Sequence, residues 1–161
     1  MRSFTPLEAA VGVALIGSVL AVAVPAFVRN LSSSRLVEAT NGLSRIGEHA
    51  ISGAAGKPCA NAFPAAAPLT PETVPRGKPA VDGDPDPWQH PTWRALDFRA
   101  SQPGVAHSFS FQLDRAGDAF VAAAHGDLDG DGTTSTFEIR GKCEHDVALL
   151  TPGMYVESEL E

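Results

Sequence analysis

The sequence predicts an α+β fold: a long N-terminal helix, a connecting loop, and an antiparallel sheet of three or four strands packed on the second half of that helix. Three observations carry it. An uncharged run near the N-terminus passes directly into a one-sided apolar pattern, nine of the thirteen prolines crowd into residues 58–91, and a period-two pattern begins near Ser108.

Ala9 to Val28 is a stretch of twenty residues without a charge, AAVGVALIGSVLAVAVPAFV. As a helix it would span about 30 Å, the thickness of a bilayer's hydrocarbon core. A cleavable secretory signal is the alternative, but the run is long for the apolar region of one and ends without an A-x-A site. Beyond Arg29 and Asn30, Leu36, Ala39, Leu43, Ile46 and Ala50 recur at spacings of three and four, with Arg35, Glu38, Arg45 and Glu48 off that stripe. The helix should therefore continue, amphipathic, to about Ser52, where Gly53, Gly56 and Pro58 stop it.

In residues 58–91 the prolines, in runs such as AFPAAAPLTPETVPRGKP and DGDPDPWQHP, forbid a continuous helix or a central strand. A flexible linker is one reading. Cys59 near one end and Trp88 and Trp93 near the other favour a loop fastened to a body. Three alternating segments follow, SFSFQL, DAFVAAAH and TSTFEIR, separated by DRAG and GDLDGDG, which read as an antiparallel meander. The tail can add a short strand around Met154–Val156, with a frayed acidic end.

At 161 residues, with the first stretch given to a membrane, the rest builds one modest soluble unit. Aromatics are only 7% of the chain, which argues for a thin core helped by a sheet or a staple, and against a large enzyme cleft. The net charge of -7 repels phosphate backbones, so no direct nucleic-acid site is evident. Cys59 and Cys143 lie in no CxxC or zinc-type spacing; a disulfide suits an exported chain, two buried thiols being the alternative. No GxSxG, Walker or dinucleotide motif occurs, and the acids of DGDPDP read as solvated loop residues, so no catalytic residue is assigned and the protein is not read as an enzyme. The histidines at 49, 90, 107, 125 and 145 show no metal spacing and read as surface or packing residues.

Asp127, Asp129, Asp131, Gly132 and Glu138 fit D-x-D-x-D-G-x5-E. Oxygen ligands at those spacings can wrap Ca2+, with Thr133 offering its carbonyl and Ser135 holding a water. An Asp/Gly-rich hairpin needs the same residues for positive φ and side-chain-to-backbone bonds, and both readings stay open. No cofactor is otherwise required. Trp88 and Trp93 can anchor the long loop or present a sugar-binding surface.

Glu8 is a carboxylate one turn inside an apolar helix, where its cost calls for a partner unless it sits at the membrane interface. It belongs to S-F-T-P-L-E, which, followed by the apolar run and P-A-F, resembles the signal and N-terminal helix of type IV pilins. Counted from Phe4, Glu8 is the fifth residue and Pro25 the twenty-second, where that family carries its glutamate and its helix-bending proline. The resemblance implies a leader of residues 1–3, removed by a prepilin peptidase between Ser3 and Phe4, and N-methylation of Phe4. It implies a membrane and filament-core helix over 4–28, with Glu8 pairing the Phe4 amine of a neighbouring subunit and Pro25 letting the helix bend. A head over 29–161 would comprise an amphipathic helix (29–52), the Pro-rich loop (53–105) and the sheet (106–161), the arrangement of a pilin fold. Ser3 stands where the family usually has glycine, the leader is short, and Pro6 replaces an aliphatic residue. WRALDF, HSFSFQL and FVAAAHGDLDGDGTTSTFEI resemble a pilin subgroup and extend the likeness to residue 139.

By that resemblance the chain is a subunit of a homo-oligomeric filament, held in the inner membrane, raised by an assembly platform and then displayed at the cell surface for adhesion, motility or DNA uptake. A type II secretion pseudopilin and a single-pass periplasmic binding module are the rival expectations.

Overall fold

The computed structural model describes residues 5–159, and the fold is α+β, with an N-terminal helix and an antiparallel sheet. The leader residues 1–3, Phe4 and the last two residues of the acidic C-terminal end lie outside the described residues. Helix α1 covers Pro6–Ala54, and the chain divides into two compact units at Ser34/Arg35, within it. Each unit is described by itself.

In the first unit α1 begins on a reciprocal cap. Thr5 Oγ1 accepts the Glu8 N–H, and the Glu8 carboxylate accepts the N–H (2.8 Å) and hydroxyl (2.9 Å) of Thr5. Pro6 fits the first helical position, where its missing donor would be unpaired anyway. The segment Pro6–Pro25 is long and apolar enough to cross a membrane, a property a signal sequence shares. Its large apolar side chains, Leu7 and Val13 among them, are 51–74% exposed.

In the second unit the last five turns of α1 bury one face against the sheet. Ala39, Leu43, Ile46, Ala50 and Ala54 are at most 3% exposed, the predicted stripe from Ala39 onward plus one turn, while Leu36 at the start of the stripe is half-buried. Helix formation stops at Gly56, whose φ of +73° glycine adopts without a Cβ clash. The predicted three or four strands are six: β1 (Ala67–Thr70), β2 (Ser110–Ala116), β3 (Ala119–Gly126), β4 (Ser135–Glu144), β5 (Val147–Leu150) and β6 (Tyr155–Glu157). They pair antiparallel in the order β1-β2-β3-β4-β5, with β6 also on β4. Alternation puts Phe111 and Leu113, then Phe120, Ala122 and Ala124, then Phe137, Ile139 and Cys143 on the core side.

The Pro-rich stretch is fastened to this body. Beside β1 it carries short helix α2 (Pro91–Ala95), with Pro91 at its first position and the His90 ring accepting the Thr92 N–H. Trp88, Trp93, Phe98 and Phe111 form one aromatic cluster, with Phe98 5.0 Å from Phe111 and 5.5 Å from Trp93. Trp93 Nε1–H donates to Thr70 Oγ1 at 2.8 Å and ties α2 to β1. The Arg115 guanidinium donates to the carbonyls of Phe63 and Ala60, holding the segment after α1 to β2. The thin core expected from a low aromatic content is thus replaced by a locally dense one.

Close approach of α1 to the sheet depends on glycine. A Cβ at Gly42 would stand 2.5 Å from the Phe111 ring, whereas one at Gly53, exposed on the same helix, meets nothing within 4 Å. Gly→Ala inside a helix normally gains up to about 1 kcal/mol. Gly53→Ala should therefore leave stability unchanged or improved, while Gly42→Ala should lose about 1–3 kcal/mol through overpacking. Denaturant midpoints of the two variants check this, and a stabilised Gly42→Ala would mean that Phe111 yields freely.

Candidate functional site

Three groups of residues singled out in the sequence occupy defined places. Glu8 forms the cap with Thr5, a T-x-x-E pattern readable in the sequence and missed there. Pro25 lies inside α1, where it leaves one helical carbonyl without its usual donor.

Cys59 and Cys143 form a disulfide across a sequence separation of 84, with a Cα–Cα distance of 5.3 Å. It joins the short 3-10 helix Cys59–Asn61 to β4. The same corner is closed by the β4–β5 hairpin, a two-residue turn with His145 (φ +51°) and Asp146 (φ +61°) both left-handed. The Asp146 carboxylate accepts the Cys59 N–H at 3.1 Å, so turn and bridge support each other.

Asp127, Asp129 and Asp131 bring a carboxylate oxygen each to within 4.8 Å of one another. Asp127 is buried and accepts the N–H groups of Gly130 (2.7 Å) and Gly132 (3.1 Å); Asp129 accepts from Asp131 and Asp131 from Thr133. Gly130 and Gly132 are at φ +84° and +99°, as the turn reading requires. Glu138 is not with them: it sits on β4, and its carboxylate accepts from Arg140 at 3.2 Å. Ser135 donates its hydroxyl to the Gly126 carbonyl. The donor set suits a hard cation in three of its carboxylates, but the full six-position pattern is not assembled, and each aspartate already serves the backbone of its own loop.

The sequence reading also missed a charged cluster at the start of β2. Glu38, read in the sequence as off the apolar stripe of α1, is half-buried and accepts the N–H groups of Ser108 (2.9 Å) and Phe109 (3.1 Å), fixing the chain as it enters β2. The available signal was its position four residues before Gly42, on the flank of the buried stripe. Burial raises its carboxyl above the ordinary range, opposed by those two backbone bonds and by the charges of His107 and Arg35. His107 in turn meets Asp82, which meets Trp88 and Arg99.

Because folded Glu38 holds its proton more tightly than the unfolded chain, its contribution to stability falls as pH rises from the ordinary carboxylate range through the raised folded value. Glu38→Gln keeps an acceptor and removes the buried charge, so it should abolish that slope and match or exceed wild-type stability at neutral pH. Glu38→Ala strands two backbone donors and should lose about 1–3 kcal/mol. Urea titrations at several pH values measure both; equal losses for Gln and Ala would mean that the charge itself is needed.

Comparison with known protein families, with curated proteins and with solved structures returns no match.

Proposed function

We propose that this chain is a type IV pilin, a structural subunit anchored in the inner membrane through α1 and then assembled into a surface filament. The observation that carries the reading is the start of α1, uncharged from Ala9 to Val28 and unburied over the apolar span Pro6–Pro25, combined with the S-F-T-P-L-E spacing of Glu8 and Pro25. An isolated helix of that composition needs an apolar environment on every side, which a bilayer offers first and a bundle of identical helices offers later. The α+β fold, with the 35–54 part of α1 packed on an antiparallel sheet, is compatible with a pilin head, and the disulfide suits an exported one.

In this reading a prepilin peptidase frees Phe4, an assembly platform lifts the subunit, and the Glu8 carboxylate meets the Phe4 ammonium of its neighbour. The role requires no enzyme activity and no cofactor.

The direct test is mass spectrometry of the N-terminal peptide from filaments sheared off cells. The expected peptide begins at Phe4 with one added methyl group. A filament or membrane pool that retains Met1 would remove the basis of the assignment and favour a single-pass anchor. Processed chains confined to the cell envelope would favour a secretion pseudopilin.

A further inference from the structure

The buried charge cluster at the start of β2 has a proton count that its geometry fixes. His107 is 1% exposed, and its backbone pairs both ways with Ala80 at 2.8 Å, which brings the segment before α2 alongside it. Its Nδ1 lies 3.0 Å from the Phe109 carbonyl oxygen, and its Nε2 lies 3.0 Å from Asp82 Oδ1. A carbonyl oxygen only accepts, so Nδ1 carries a proton. The second Asp82 oxygen accepts Trp88 Nε1–H at 2.7 Å and faces Arg99 at 3.8 Å, contacts that favour the carboxylate anion. Nε2 therefore donates as well. Only the imidazolium donates from both nitrogens.

We propose that His107 is a proton-operated latch on the segment 81–89: its imidazolium holds Asp82, Asp82 holds Trp88, and loss of one ring proton to solvent lets the segment and its indole open. A neutral ring keeps one N–H for two acceptors, so a bare nitrogen lone pair must face an oxygen lone pair. The charged and titratable groups around the ring come from three elements. Glu38 and Arg35 belong to α1, Asp82 to the loop, and Arg99, which also pairs with Asp86, to the stretch after α2. Once the ring is neutral, the Asp82 and Glu38 carboxylates lose the cation they share, leaving Arg99 beside the first and Arg35 near the second. The Trp93 indole packs on Trp88 but donates its N–H to Thr70 Oγ1, outside this chain of hydrogen bonds, and supplies an internal reference.

The test uses the full chain in detergent micelles, with 15N-labelled tryptophan and histidine. Indole hydrogen exchange is followed across the pH step at which the histidine 15N signals show the ring losing a proton. Protection of Trp88 relative to Trp93 should fall roughly tenfold or more as pH rises, the factor set by losing one hydrogen bond to a charged group. Base catalysis of exchange acts on both indoles and cancels in the ratio. His107→Gln and, separately, Asp82→Asn should each remove the step. The wild-type ring should show both nitrogens protonated at the acid end, which requires no variant to fold. A flat ratio, a step that persists in either variant, or an unprotonated Nε2 at the acid end would overturn the latch.

Discussion

On the pilin reading proposed above, Glu8→Ala is expected to abolish filaments while leaving the membrane pool intact. In the bilayer the substitution removes a carboxylate that costs about 2.5 to 3.5 kcal/mol near the centre and less near the edge, so insertion is unharmed. In a filament it leaves each neighbouring Phe4 ammonium without a counter-charge, and breaking a buried pair from one side costs about 3–5 kcal/mol per contact. Glu8 also caps α1 through Thr5, so a lost cap, worth about 1 kcal/mol, is a competing cause. Glu8→Gln separates them, because glutamine can close the same cap without the charge. Both variants should fail to assemble. Filaments sheared from cells, measured beside the membrane pool, give the answer: assembly rescued by Gln would assign the defect to the cap, and normal yield in both would end the role given to Glu8.

The double variant Cys59→Ala/Cys143→Ala is expected to lower the melting temperature of the detergent-solubilised chain by about 10–20 °C. Closing a loop of 84 residues constrains the unfolded chain by roughly 4 to 5 kcal/mol on the entropic account, and losses on removing native bridges run about 2–5 kcal/mol. Cys143 is also 2% exposed on the core side of β4, so truncation adds a small cavity. Reducing the wild-type protein isolates the bridge from the cavity and should reproduce most of the loss. A melting temperature that reduction leaves unmoved would mean that the Asp146 turn and the Arg115 contacts hold this corner unaided.

The helix was legible because a single periodicity runs through Ala39, Leu43, Ile46 and Ala50, and each of those side chains is buried. Strands β2, β3 and β4 were legible by alternation, within a residue or two at their starts. Strand β1 was not, because Pro68 lies inside it and reads as a breaker; at a sheet edge a missing donor costs little. Strand β5 was hidden by its turn, since His145 and Asp146 adopt positive φ where Asn-Gly or Asp-Gly would have announced a hairpin. Helix α2 was masked by the proline that starts it. The bridge between Cys59 and Cys143 and the converging aspartates followed from residue type and spacing. The Glu38–Ser108 and Asp82–His107 contacts join residues 70 and 25 positions apart that carry no shared motif, so only the packed chain brings them together.

The glycine-lined seam between α1 and the sheet also dictates an order of events during synthesis. A ribosome makes Leu43 and Ile46 long before the residues that shield that stretch of helix, among them Phe111 at Gly42 and Leu150 at Gly47. Until those strands emerge, the stripe faces water or a chaperone, and the helix has nothing to dock on. Maturation of the C-terminal unit is therefore weighted to the end of the chain, and a nascent polypeptide halted before β4 would present a sticky helix rather than a partly finished fold.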